Sequence, residues 1–244
     1  MKKISSQYDG IKIMADPAIH EDAFRLVSSY LKPPGRILDI AAGAGAFASR
    51  LRDAGYRVDA NDIDVANWRA SGMAKTAYDL NQALPQELLA REPYDLVVAI
   101  EIIEHLENPS KFLRDCRSLV KPDGYILLST PNVTNAYSRI AFFVRAQFRW
   151  MTPHDYHESG HMTLLPHWLL ELILSATGLK TIDRRFVGYR VPHGNSIKKI
   201  WVRSAQWLAS LLMRRCDAGE LSRNAIIYLV QQEPTSSSRG PRSG

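Results

Sequence analysis

Arg36-Ile-Leu-Asp-Ile-Ala-Ala-Gly-Ala-Gly-Ala-Phe-Ala48 changes character twice within a short span. Arg36 to Ile40 is a short apolar run, Ala41 to Ala46 is built of alanine and glycine, and Phe47, Leu51 and Ala54 then fall on one helical face. The reading is strand, glycine turn, helix. Gly43-Ala-Gly45-Ala-Phe-Ala48 fits G-x-G-x-x-G/A, a weak signal alone, which gains meaning only from a strand before it and a helix after it.

The same alternation extends outward. Asp16-Pro17 supplies an N-cap and a proline at N1, so a helix carrying Ala23, Phe24, Val27 and Leu31 precedes the first strand. Downstream, strands are predicted over Tyr56 to Ala60, Thr76 to Tyr78, Tyr94 to Ile100 and Tyr125 to Ser129, with helices over Val65 to Ser71 and from Pro109. Tyr94 to Ile100 is continuously apolar after Asp95, as a strand buried on both faces must be. A helix over Trp168 to Ala176, a strand from Lys180 to Val187 and a last strand from Ala225 to Val230 complete the pattern. Strands separated by helices imply an α/β, doubly wound, mostly parallel sheet with helices on both faces, and ligands then bind at the carboxyl ends of the strands.

Charge decides which ligand. Asp39 ends the first strand, where a dinucleotide would put its pyrophosphate, and a carboxylate repels that group. S-adenosylmethionine has no phosphate and carries an ammonium and a sulfonium. Asp62, after the second strand, suits the two ribose hydroxyls, with Asp64 the neighbouring alternative. Asp79, after the third, suits the adenine amine, with Leu80 and Ile100 against the ring. Gly43 and Gly45 let the backbone approach the cofactor.

Ile37-Leu-Asp-Ile-Ala-Ala-Gly-Ala-Gly45, Asn61-Asp62-Ile63-Asp64, Asp79-Leu80, Tyr94-Asp-Leu-Val-Val-Ala-Ile-Glu-Ile-Ile-Glu-His105, Leu119-Val-Lys-Pro-Asp-Gly124 and Ser129-Thr-Pro-Asn132 together resemble the class I S-adenosylmethionine-dependent methyltransferases, nearest the ubiquinone-biosynthesis O-methyltransferase branch. The likeness covers roughly residues 35 to 180. Ala41 departs from the family's usual glycine. The resemblance implies a seven-stranded sheet ordered 3-2-1-4-5-7-6 with the last strand antiparallel. The residues expected at the cofactor are Asp39, Ala41, Gly43, Gly45, Phe47, Asp62, Ile63, Asp79, Leu80 and Ile100.

Methyl transfer from a sulfonium is an in-line displacement on an activated donor, so a hydroxyl acceptor asks the protein for positioning and a base. His105, just past the fourth strand, is the first candidate, set against a histidine that caps the next helix. His161 and His157 are reserves. Glu101, Glu104 and His105 also suit a divalent cation, which the resemblance implies for some members, although two solvated acids and a cap are the preferred account of the spacing. His154, His157 and His161 fit zinc less well than a lid, because no cysteine or fourth ligand accompanies them.

At 244 residues and 45% apolar content the chain is expected to form one domain over residues 1 to 233, with an acceptor-side lid over 132 to 166 and a disordered tail from 234 to 244. Cys116 and Cys216 form no metal or disulfide pattern, and neither a signal peptide nor a membrane span is evident, so a cytoplasmic setting is expected. The net +6 is uneven. Arg184 to Arg223 holds nine Lys/Arg against Asp217 and Glu220, or +7, leaving −1 elsewhere. Ile197, Ile200, Trp201, Trp207, Leu208, Leu211 and Leu212 share a helical face opposite Lys198, Lys199, Arg203 and Arg214, a basic amphipathic insertion spanning 189 to 222. It suits either an anionic membrane at the inner face, and hence a lipid-linked acceptor, or packing on the domain or a second subunit. Small molecules and glycans stay open as acceptors. Nucleic acid is disfavoured, since no Asn/Asp-Pro-Pro-aromatic loop follows strand four. A nicotinamide oxidoreductase is disfavoured too, since the one Tyr-x-x-x-Lys pair, Tyr8 and Lys12, precedes the glycine loop.

Overall fold

The computed structural model describes residues 5–190 and 217–233, with the side chains of Tyr189 and Arg190 outside that description. The amphipathic face between Ile197 and Leu212, Cys216 and the tail from 234 lie outside the described residues.

Nine strands and eight helices are described. In chain order they are β1 Gln7–Tyr8, β2 Ile11–Lys12, α1 Pro17–Tyr30, β3 Arg36–Ile40, α2 Ala46–Asp53, β4 Arg57–Asp62, β5 Ala74–Ala77, α3 Gln86–Leu89, β6 Tyr94–Ala99, α4 Pro109–Leu119, β7 Val120–Pro131, α5 Ala136–Arg145, α6 Pro153–Ser159, α7 His167–Ala176, β8 Leu179–Arg190, α8 Ala218–Ser222 and β9 Arg223–Gln232. β1 and β2 form a separate hairpin, and the other strands form one sheet ordered β5-β4-β3-β6-β7-β9-β8. All neighbours are parallel except β9, which runs antiparallel to β7 and β8. Counting from β3, this is the 3-2-1-4-5-7-6 order.

Each face of the sheet carries its own apolar layer. Ile37, Leu96, Val98 and Leu127 pack against Ile19, Ala23 and Leu26 of α1 and Phe47 and Leu51 of α2. Leu38, Ile40, Val97 and Ala99 pack against Phe112, Leu113 and Cys116 of α4 and Leu170 and Leu174 of α7. Strands whose alternate residues serve two cores must be apolar throughout, which is why β3 and β6 lack a polar face. α1 begins where its sequence says: Asp16 accepts from the Ala18 N–H at 2.9 Å, with Pro17 at the first helical position.

Two expectations change. The helix over Val65 to Ser71 is only a 3-10 turn, Val65–Asn67. Asp64 caps that turn, but Trp68 is already extended and the Arg69 N–H reaches back to the Ala44 carbonyl at 3.0 Å. The segment is spent covering the glycine loop instead of continuing as a helix. The strand expected from Tyr125 begins earlier, at Val120, and Lys121 to Gly124 lies inside β7 as an irregularity in which pairing steps from Tyr94 opposite Val120 to Leu96 opposite Tyr125.

Candidate active site

Two clefts open at the carboxyl ends of the parallel strands and share Ala41. One, enclosing about 370 Å³, is lined by Lys12, Met14, His20, Asp39, Gly43, Phe47 and Ile100 among others. The other, about 540 Å³, is lined by Asp62, Ile63, Asp79, Leu80, Asn81 and His105. Of the expected cofactor residues only Gly45 lines neither.

The loop after β3 explains the small residues. Ala41 has φ of 56°, a left-handed conformation that an L-residue adopts at a cost, which accounts for glycine as the usual occupant. Gly45 is needed for a different reason than cofactor approach. A Cβ there would sit 2.6 Å from the Ala70 Cβ, so the protein's own 68–70 segment fills the space. The loop is then tied to the next strand end, because Asp62 Oδ2 accepts from the Gly43 N–H at 2.7 Å and its Oδ1 accepts from the Asp64 N–H at 2.9 Å. Each carboxylate oxygen keeps a second lone pair for a ribose hydroxyl. Asp64 caps the 3-10 turn, accepting from the Ala66 N–H and the Asn67 side-chain amide. Asp79 and Leu80 stand across the same cleft, with Ile63 70% exposed at its rim.

Asp39 is the most constrained acid of this half. It is 2% exposed, its Oδ2 has no hydrogen-bond partner among the described residues, and burial, then the charge of Asp62, push its carboxyl up to about 8. A buried carboxyl lacking a partner and lining a cleft is completed by a ligand cation, and S-adenosylmethionine brings an ammonium. The residues present therefore fit that donor: acid for ammonium, acid for ribose, and apolar Leu80 for the ring.

On the acceptor side the structure corrects two readings. Glu104 is not solvated, and Glu101 is half-buried. Glu104 is fully buried, held through Oε2 by the Thr130 hydroxyl at 3.0 Å, with Oε1 unpartnered. Burial, then Glu101, hold its carboxyl well above the usual carboxylate range. Glu101 sits on a left-handed backbone with φ of 49°, receives the Ser129 hydroxyl at 2.8 Å, and is pushed up to about 7, chiefly by burial. His105 does not cap the next helix either: Asn108 does, accepting from the Lys111 N–H at 2.9 Å.

His105 instead meets His161 edge to face, ring centroids 4.7 Å apart. One ligand atom each of Glu104, His105 and His161 lie within 4.8 Å of one another. His161 is anchored by Nδ1 on the Trp150 carbonyl at 2.8 Å, and the main chain at Met162 and Thr163 is fastened to the Glu104 carbonyl. His154 and His157 lie on α6, on exposed surface, apart from this cluster. Burial, then His161, lower the pKa of His105 from the usual imidazole value.

Sequence reading missed the hairpin, His20, and the cleft-lining Asn61, Tyr78 and Asn81. Only the hairpin had a clear signal, Asp9-Gly10 between Tyr8 and Ile11, the two-residue turn with positive φ at both centres.

Against known proteins, the family described as Methyltransferase domain matches residues 17–183. The chain is 32% identical over 131 residues to a ubiquinone biosynthesis O-methyltransferase of Caulobacter vibrioides, covering 50% of this chain and 52% of that protein. It is 29% identical over 163 residues to the protein of that name from Paraburkholderia xenovorans, covering 63% and 68%. The chain thus spans about half the length of the first of these relatives and two thirds of the second. A SAM-dependent methyltransferase of Archaeoglobus fulgidus superposes with a TM-score of 0.60 at 19% identity, covering 88% of this chain and 93% of that one. Phosphoethanolamine N-methyltransferase 2 of Haemonchus contortus, solved with S-adenosyl-L-methionine, gives 0.58 at 14%, covering 91% and 54%. At these identities the structural likeness speaks for the fold alone. Family match and sheet order agree: the chain belongs to the methyltransferase domain family.

Proposed function

We propose that the protein methylates a hydroxyl oxygen, with His105 as the general base at the acceptor. The observation that carries this reading is the placement of His105 in the wall of the larger cleft, its ring held against His161. Bound at Asp39 and Asp62, the donor supplies an electrophilic methyl on a sulfonium. His105 takes the acceptor proton as the oxygen attacks, and His161, fixed through its Nδ1, holds the first ring in place. Glu104 Oε1 lies 3.9 Å from the His105 Nε2, so ionisation of that carboxyl would favour the imidazolium that results.

The same trio supports a second reading, a divalent cation on Glu104, His105 and His161 that acidifies the acceptor hydroxyl. Its support is the unpartnered Glu104 oxygen within reach of two imidazoles. Steady-state turnover separates the two. With His105 as base, His105→Ala lowers kcat by about 10²-fold or more at unchanged donor affinity, and dialysis against EDTA leaves the native rate intact. Loss of rate on chelation, restored by Mg²⁺, Mn²⁺ or Zn²⁺, would replace the base with the cation.

For the acceptor, glycans and small phenols suit the cleft, and one surface favours a lipid-linked form. Phe143 and Val144 near the end of α5 are 90% and 70% exposed beside Arg145, an apolar and basic tip suited to peripheral contact with an anionic membrane. No helix among the described residues is long and apolar enough to cross a membrane. Running the same assay with acceptor in anionic vesicles and in free solution tests this choice; equal rates in both would remove the membrane from the account.

A further inference from the structure

The stretch from 78 to 85, between β5 and α3, carries Asp79 and Leu80 yet forms neither strand nor helix. Its shape therefore depends on where its polar groups find partners. Part of the answer is local. The Asn81 N–H donates to Asp79 Oδ1 at 2.9 Å, and the Gln82 N–H donates to the Asp79 carbonyl at 3.0 Å. One carboxylate oxygen of Asp79 is thus committed to its own turn, which leaves the other for a ligand in the cleft that Asp79 lines.

The other ties come from the start of α4. Lys111 Nζ donates to the Gln82 carbonyl at 2.5 Å, to the Leu80 carbonyl at 3.4 Å and to Asp115 Oδ2 at 2.6 Å. An ammonium has three N–H groups, so these acceptors take up its whole capacity. Nothing in α4 itself asks for a lysine there. Lys111 stands in the first helical turn, where the helix dipole disfavours a cation, and it precedes Asp115 in the poorer order for a pair four residues apart. Its two carbonyl partners lie about thirty residues back in the chain, on either side of Asn81. Asn81 is fastened to the same corner, since its Oδ1 accepts from the Glu107 N–H at 3.0 Å.

We propose that Lys111 is a positioning residue for donor recognition: from α4 it holds the loop from 79 to 82 in the shape that presents the free oxygen of Asp79 to the 6-amino group of the adenine. Lys111 meets no part of the ligand. It acts through the Leu80 and Gln82 carbonyls, and with it the loop selects an aminopurine over a purine that carries an oxygen at that position.

The inference rests on S-adenosylmethionine as donor and on Asp79 at its base, and the test separates the three. Isothermal titration compares S-adenosylhomocysteine with S-inosylhomocysteine, in which an oxygen replaces the 6-amino group. Native protein prefers the first by about tenfold, the size expected when a hydrogen bond to a charged acceptor is lost. Lys111→Met, with Lys111→Gln as a second variant, brings that preference down to about twofold by weakening the adenosyl ligand, while Lys111→Arg, which keeps N–H donors, retains most of it. In an Asp79→Ala background Lys111→Met has no further effect on the preference. An unchanged preference, equal weakening of both ligands, or a further effect on top of Asp79→Ala overturns the role of Lys111 while leaving the donor standing. Native protein that binds both ligands alike overturns the adenine contact of Asp79, and native protein that binds neither overturns the donor; the role of Lys111 falls with each.

Discussion

Two buried carboxyl groups, Asp39 and Glu104, each keep one oxygen without a partner, one on either side of the β3–β6 edge. Asp39 stands among backbone and glycine, near a second acid and with the Ala48 N–H as its main-chain support, so what it lacks is a cation brought by a ligand. Glu104 stands behind two imidazoles and a threonine, so what it faces is the protein's own proton carriers. The proposed donor half, placed to receive charge, and the proposed acceptor half, placed to move a proton, are therefore distinguished by what surrounds the same chemical group.

The sharpest way to break that division is at Asp62, whose two oxygens hold the loop that carries the donor. Asp62→Ala removes both the loop tether and the ribose acceptor. Charge-assisted hydrogen bonds contribute about 1.5–3 kcal/mol each, so affinity for S-adenosylhomocysteine should fall about 100-fold with the far-ultraviolet spectrum unchanged. Unaltered affinity by titration calorimetry would mean the ribose lies elsewhere.

Protons give a subtler test of Asp39. Its carboxyl, raised from 3.8 to about 8, is mostly protonated in the free protein at pH 7. A ligand ammonium favours the carboxylate, so binding releases up to about one proton, seen as an enthalpy that depends on the ionisation heat of the buffer. Asp39→Asn should remove that dependence; native protein whose enthalpy ignores the buffer would refute the ammonium contact. The linkage also has a stability side. Because the folded value is raised, the contribution of Asp39 is fully present below about pH 4 and lost as pH rises through about 8, so the free Asp39→Asn protein should melt higher than native at pH 8.

The smallest effect belongs to Ala41. Left-handed backbone costs an L-residue about 1 kcal/mol, so Ala41→Gly should raise the melting temperature by about 2 °C in scanning calorimetry, part of the relief being offset by the freer unfolded chain. A lowered melting temperature would show that the Ala41 methyl packs better than its backbone conformation suggests.

The two halves also differed in how far the sequence could be read. The proposed donor residues lie at the carboxyl ends of the strands that place them, Asp39 next to last in β3 and Asp62 last in β4, so finding the strands nearly finds the site. His105 and His161 are separated by three helices and a strand and meet only because the chain after α6 is fastened to the Glu104 carbonyl. The burial of Glu104 had no signature in a sequence where Glu-Ile-Ile-Glu-His reads as polar loop. The segment after Asp64 misled for a related reason: its helical pattern is local, whereas the bond from Arg69 to Ala44 is not.

By itself, then, the amino-acid order determined the strand–helix alternation, the sheet order through its family likeness, and which acids stand at which strand ends, because periodicity and turn chemistry act over a few residues. The assignment of Gly45 to packing, the inward turn of His161, the desolvation of Glu104 and the placing of the hairpin beside the cleft were decided only by tertiary structure. Burial and like-charge proximity depend on which distant segments arrive, and those shift the pKa of a side chain in ways its neighbours in sequence cannot reveal.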